Sequence, residues 1–137
     1  MTALPPPHDS SNIRSTLEQQ RAELLTRLQD DLRETCALTG QLEDTHDLFD
    51  MSAVTAESDI RVSLMSTRTA TLVAIDAALE RLGEGLYGRC ESCSEAIGAA
   101  RLRVVPFALR CTHCEEEKEA AEHARRTGGT EIARRLW

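Results

Sequence analysis

Apolar residues recur at alternating steps of three and four along two stretches of the chain. The first stretch carries Ile13, Leu17, Leu24, Leu28, Leu32 and Leu42, with Cys36 on the same stripe; the second carries Ile60, Leu64, Leu72, Ile75, Leu79, Leu82 and Leu86. That rhythm marks one face of a helix, with Glu, Gln, Arg and Asp filling the solvated face between. Thr67, Arg68 and Thr71 interrupt the second stripe. Gly40 weakens the first helix near its end without stopping it, and Gly83 with Gly85 closes the second. Stretches of about 30 residues predict helices about 45 Å long at 1.5 Å per residue.

Neither stripe is wide enough to cover a large body, so pairing with each other is the economical solution. Similar lengths and one short connector predict an antiparallel coiled-coil hairpin over 13–85, with its bend near 44–55. Two helices of an ordinary bundle are the alternative, but no third long helix is available to complete one. Residues 1–12 are expected to be disordered, since Pro5, Pro6 and Pro7 oppose a helix; Asp9, Ser10 or Ser11, or Ser15 with Glu18, offer start signals after them. A further helix is expected just past Cys114, where Glu115, Glu116 and Glu117 suit the positive end of a helix dipole. It runs through Ala120, Ala121 and Ala124 to Arg126 and ends at Gly128-Gly129. Residues 127–137 form a tail.

Composition agrees with an elongated helical protein. Only 3% of the 137 residues are aromatic, too few for a wide core. The formal charge of −7 argues against non-specific nucleic-acid binding, which needs cations to displace counterions. The charge is uneven. Between Gln41 and Ile60 lie Glu43, Asp44, Asp47, Asp50, Glu57 and Asp59 without a Lys or Arg, whereas Arg89, Arg101, Arg103 and Arg110 fall between Leu86 and Cys114. The Pro-rich start is unlike a signal peptide, and no apolar run approaches the roughly 20 residues that span a bilayer. A cytoplasmic protein without a membrane segment is expected, and there paired cysteines bind metal more often than they form disulfides.

Cys90 and Cys93 form one C-x2-C pair and Cys111 and Cys114 another, 17 residues apart. A two-residue gap lets both sulfurs of a knuckle reach one ion, and two knuckles at this separation read as a four-cysteine zinc site. Gly88 and Gly98 are the expected sources of tight turns. A thioredoxin-like redox site would need a βαβ pattern, and iron–sulfur clusters use other spacings. Four thiolates fill the shell, so the Zn2+ is expected to be structural, with no open position for catalysis. His113, inside the second knuckle, reads as a flanking side chain. Cys36 reads as a small buried apolar residue rather than a reactive thiol.

The run Leu86-Tyr87-Gly88-Arg89-Cys90-Glu91-Ser92-Cys93, followed by Ile97, Arg101-Leu102, Pro106 and Cys111-x-x-Cys114, resembles the DksA/TraR family of zinc-finger transcription factors. The likeness is specific in the finger and compatible with the preceding helices. It implies a mainly α protein: a long antiparallel coiled-coil hairpin over 13–85 joined to a small four-cysteine zinc finger and C-terminal helix over 86–126. Members of this family bind bacterial RNA polymerase, their coiled-coil arm entering the secondary channel so that an acidic tip approaches the catalytic centre. Asp47, Asp50 and Ser52 match the spacing of the family's tip, with Ser where Ala is usual. The resemblance therefore implies a non-enzymatic regulator of transcription initiation. Many members also carry basic residues just before the finger's Pro and just after its last Cys, linked to binding the alarmone ppGpp. Val105 and Glu115 stand there, so ppGpp binding is not expected.

From the residues alone, an acidic connector is equally a solvated turn, and Phe49 between the two Asp is either a packing residue or an exposed contact. A zinc-finger DNA-binding protein using the four arginines is a competing reading; the net charge and the lack of a recognition helix count against it, and no sequence-specific DNA binding is expected. A coiled-coil adaptor that dimerises with another chain is a third, against the expectation of a monomer.

Overall fold

A computed structural model describes residues 7–42 and 51–135. It contains α1 (Pro7–Leu42), α2 (Met51–Gly83), α3 (Ala99–Val104) and α4 (Thr112–Arg135), and no strand among the described residues beyond an isolated antiparallel bridge between Arg89 and Ala96. The mainly α hairpin-plus-finger architecture expected from the sequence is the one found. α1 and α2 have 36 and 33 residues, so each is about 50 Å long or slightly more. α1 begins at Pro7, earlier than expected: residues 7–12 are helical, because a proline in the first turn lacks only an N–H that would have no helical partner anyway. Residues 43–50, at the expected bend, lie outside the described residues.

α1 and α2 run antiparallel, with Arg21, Asp31 and Glu34 meeting Asp76, Arg68 and Arg61 in that order. The register differs from the apolar stripe read off the sequence. The inward positions of α2 include Arg61, Met65, Arg68, Leu72, Ile75, Ala78, Leu79 and Leu82, while Ile60 and Leu64 are exposed. Extending the three–four rhythm backwards from Leu72 leads to Arg68, Met65 and Arg61. On α1 the inward positions include Ile13, Leu17, Leu24, Leu28, Asp31 and Thr35, and both Leu32 and Cys36 are exposed. Cys36 is therefore not the buried residue expected, since the seam at that depth passes through Thr35.

The arm is thus held by different forces along its length. At the base, Leu17 and Ile75 are fully buried and Ala78 and Tyr87 join them; each large side chain so buried contributes about 1.5–3 kcal/mol. Farther out the seam is ionic. Arg68 pairs with Asp31, and Arg61 bridges Glu34 at 2.6 Å and Glu57 at 3.0 Å. Pairs of this exposure contribute about 0.2–1 kcal/mol each and weaken with salt. Ala56–Gly83 is long and apolar enough to cross a membrane by length and composition alone, contrary to the expectation from the sequence. Its Arg61, Arg68 and Asp76 are nonetheless matched by charges on α1, as packing between two wet helices requires.

α2 ends in a Schellman motif. Gly85 takes φ +75°, which a side chain would disfavour, while the Leu86 N–H donates to the Arg81 carbonyl (2.8 Å) and the Gly85 N–H to that of Leu82 (3.3 Å). The chain then turns back over the hairpin base, where Leu102, Phe107 and Leu109 pack beside Leu79 and Leu82. The Tyr87 hydroxyl donates to the Pro106 carbonyl at 2.7 Å, and burial raises its pKa above the ordinary phenol value. α4 does not stop at Arg126: it continues through Gly128 and Gly129 to Arg135. From Glu116 to Gly128 all its residues are exposed.

Replacing Ile75 by Ala should cost about 2–4 kcal/mol, whereas Val73→Ala, two residues away on the exposed face, should change stability by less than about 0.5 kcal/mol. Urea unfolding of the zinc-loaded variants measures both, and equal effects would contradict this register.

Candidate metal centre

The first knuckle is a tight reversal. Gly88 adopts φ +78°, and its carbonyl accepts from the Ile97 N–H at 2.7 Å. The Cys90 N–H donates to the Glu95 carbonyl (2.8 Å) and the Ser94 N–H to the Cys90 carbonyl (3.0 Å). The second left-handed residue is Ser94, at φ +62°, and not the expected Gly98, which has φ −58° and precedes α3. Polar residues tolerate that conformation less readily than glycine, but a knuckle closed by hydrogen bonds on both sides holds it. The second knuckle spans the start of α4: Cys111 stands just before the helix and Cys114 within its first turn, where the Glu115 N–H donates to the Cys111 carbonyl at 3.0 Å.

These turns bring the four sulfurs of Cys90, Cys93, Cys111 and Cys114 within 4.8 Å of one another, with Cys93 and Cys111 sulfurs 3.8 Å apart. A tetrahedron with zinc–sulfur bonds of about 2.3 Å has sulfur–sulfur edges of about 3.8 Å, so the arrangement fits one structural zinc ion. Cys90 and Cys114 are buried and Cys93 faces solvent. Burial opposes ionisation of Cys90, yet N–H groups of Cys93, Cys111 and Ser92 outweigh it and bring that thiol down to about 6. Cys114 is pushed upward, first by the Cys111 side chain bonded to it and then by burial. Crowded thiols cannot all ionise alone; a divalent cation removes that conflict, and its binding contributes folding free energy.

The two halves of the finger are joined by contacts that the cysteine spacing did not reveal. The Glu91 N–H donates to the Leu109 carbonyl (2.9 Å), and Arg101 Nε to the Arg110 carbonyl (3.1 Å). Arg110 itself pairs with Glu91 and, at 3.5 Å, with Glu115. Arg101 and Arg110, on which the competing DNA-binding reading draws, both have partners inside the finger. The apolar centre consists of Cys90, Ile97, Ala108 and Cys114, flanked by Leu102, Val105 and Cys111. Leu102 also belongs to the cluster at the hairpin base, so it couples the finger to the arm. His113 is exposed on α4 with Nε2 3.4 Å from a Glu117 carboxylate oxygen, beside the thiolate set rather than in it. Of the expected tip, Asp47 and Asp50 lie outside the described residues. Ser52 falls in the first turn of α2, its side chain likewise outside them.

Comparison with known proteins points the same way. The prokaryotic dksA/traR C4-type zinc finger matches residues 85–120. An uncharacterized protein of Aquifex aeolicus (strain VF5) is 32% identical over 103 residues, covering 75% of this chain and 71% of that protein. The RNA polymerase-binding transcription factor DksA of Caulobacter vibrioides (strain NA1000 / CB15N) is 30% identical over 114 residues, 80% of each chain. Among solved structures, transcription factor DksA2 from Pseudomonas aeruginosa superposes with a TM-score of 0.67 at 30% identity, covering 86% of this chain and 88% of that one.

Stripping the metal with a strong chelator should release one zinc per chain and melt the finger while leaving most of the α1 and α2 helicity in place. Zinc analysis with far-UV circular dichroism checks this, and Cys90→Ser should behave like the stripped protein. A Cys90→Ser variant that keeps stoichiometric zinc would contradict the four-thiolate assignment.

Proposed function

This chain belongs to the DksA/TraR family, and from that premise we propose that it binds bacterial RNA polymerase and regulates transcription initiation without enzymatic activity. The observation that carries the proposal is the arm: two helices thick, about 50 Å long, and anchored at its base by a metal-ordered finger. A rod of this width suits a channel that admits nucleotides. We place the secondary channel as its route and the connector between α1 and α2 as its working end. That connector carries Glu43, Asp44, Asp47 and Asp50. Carboxylates are hard oxygen ligands, able to perturb Mg2+ or basic residues near an active centre. Asp47, Asp50 and Ser52 are the proposed contact residues.

Two observations separate this role from its competitors. Direct DNA binding would draw on the finger's arginines, but Arg101 and Arg110 are engaged internally. Glu115 faces Arg110 and Val105 is half-buried against the finger's apolar cluster, so neither offers a cation to ppGpp and we propose regulation without that pocket. A cytoplasmic location accompanies a polymerase partner, and the chain acts as a monomer.

Replacing Asp47 and Asp50 together by Asn should leave binding to core RNA polymerase within about twofold and abolish the effect on open-complex lifetime. Co-purification and a promoter-complex decay assay measure the two. An unchanged effect on lifetime would defeat the tip assignment.

A further inference from the structure

Arg110 stands immediately before Cys111, and its guanidinium is shared by two carboxylates. One belongs to Glu91, the residue after Cys90; the other to Glu115, the residue after Cys114. The three side chains are 24%, 33% and 29% exposed, so they are packed together rather than freely solvated. The contact crosses from one knuckle to the other without involving sulfur. Two further bonds lie along the same line, from the Glu91 N–H to the Leu109 carbonyl and from Arg101 Nε to the Arg110 carbonyl.

We propose that the Glu91–Arg110–Glu115 clasp is a positioning device for the metal, holding the two thiolate pairs at ligation distance and slowing the release of zinc. The knuckles are separated by 17 residues, so bringing them together costs loop-closure entropy each time a ligand lets go. A clasp that persists while one sulfur detaches keeps that sulfur close and favours rebinding over escape. The benefit is geometric more than a neutralisation of charge, because one guanidinium between two carboxylates leaves the clasp with a net charge of about −1 at neutral pH. The planar fork of arginine meets two carboxylates at fixed angles, which a lysine ammonium does not. The clasp also gives Glu115 a use at a position where many family members carry a base.

The test is the rate at which the zinc-loaded full-length chain gives up its metal to excess 4-(2-pyridylazo)resorcinol. Arg110→Met should release zinc about fivefold faster than the unmodified chain, as expected for losing a partly buried ion-pair cluster, and Arg110→Lys should fall between them. Added salt should accelerate release from the unmodified chain more than from Arg110→Met. A purely structural contribution would lower stability to denaturant and leave the rate of zinc release unchanged. Release from Arg110→Met at the unmodified rate, or an identical salt response, would overturn the proposal. If Arg110→Met does not load zinc, Glu91→Gln and Glu115→Gln decide: each should speed release, Glu91→Gln more, and unmodified rates in both would equally overturn it.

Discussion

The finger, and through it the base of the arm, depends on four thiolates converging on one ion. The finger's own centre is Cys90, Ile97, Ala108 and Cys114, two apolar side chains and two ligands. Fixing a backbone residue costs about 1–2 kcal/mol, and so little apolar surface cannot offset the ordering of the whole loop between α2 and α4. Metal ligation supplies the difference. Once ordered, the finger contributes Tyr87, Leu102, Phe107 and Leu109 to the cluster around Leu17 and Ile75. The ion therefore acts at one remove on the base of the coiled coil, and Leu102, shared by both clusters, is the side chain through which it does so.

Away from that base the arm changes character. Its inward positions turn from Leu and Ile to Arg61, Met65 and Arg68 on one helix and Asp31 and Thr35 on the other. Ion pairs of this exposure stabilise weakly, so the outer part of the arm is the less stable part and opens first in local unfolding. The exposed apolar residues of α2, Val62 and Val73 among them, leave a face on the same helix that packing among the described residues does not use.

The sequence was most informative where chemistry demands fixed spacing. Two C-x2-C pairs are legible because zinc admits few arrangements, and the left-handed Gly88 was readable as a turn residue for the same reason. The two helices were legible from their periodicity, but their register was not. Ile60 and Leu64 fit an apolar stripe, whereas the seam keeps its rhythm through Arg61 and Arg68, whose partners on α1 are 27 and 37 residues distant. The same cause hid the finger's clasp: Arg110 gives no local sign that Glu91 and Glu115 will converge on it. Ser94, in a conformation expected of Gly98, belongs to a knuckle closed by the short-range bonds between Cys90 and Ser94–Glu95, and α3 occupies part of the segment between the knuckles. The role of Asp47 and Asp50 rests on the family's motif, since both lie outside the described residues.

We propose that the metal-anchored arm delivers its connector to the interior of RNA polymerase. The most direct test is photo-cross-linking from a benzophenone amino acid at position 49, comparing zinc-loaded and metal-stripped chain with core RNA polymerase. The account predicts cross-links to elements surrounding the catalytic centre, strong with the loaded protein and lost on stripping. Cross-links confined to the enzyme's outer surface, or identical patterns with and without zinc, would contradict it.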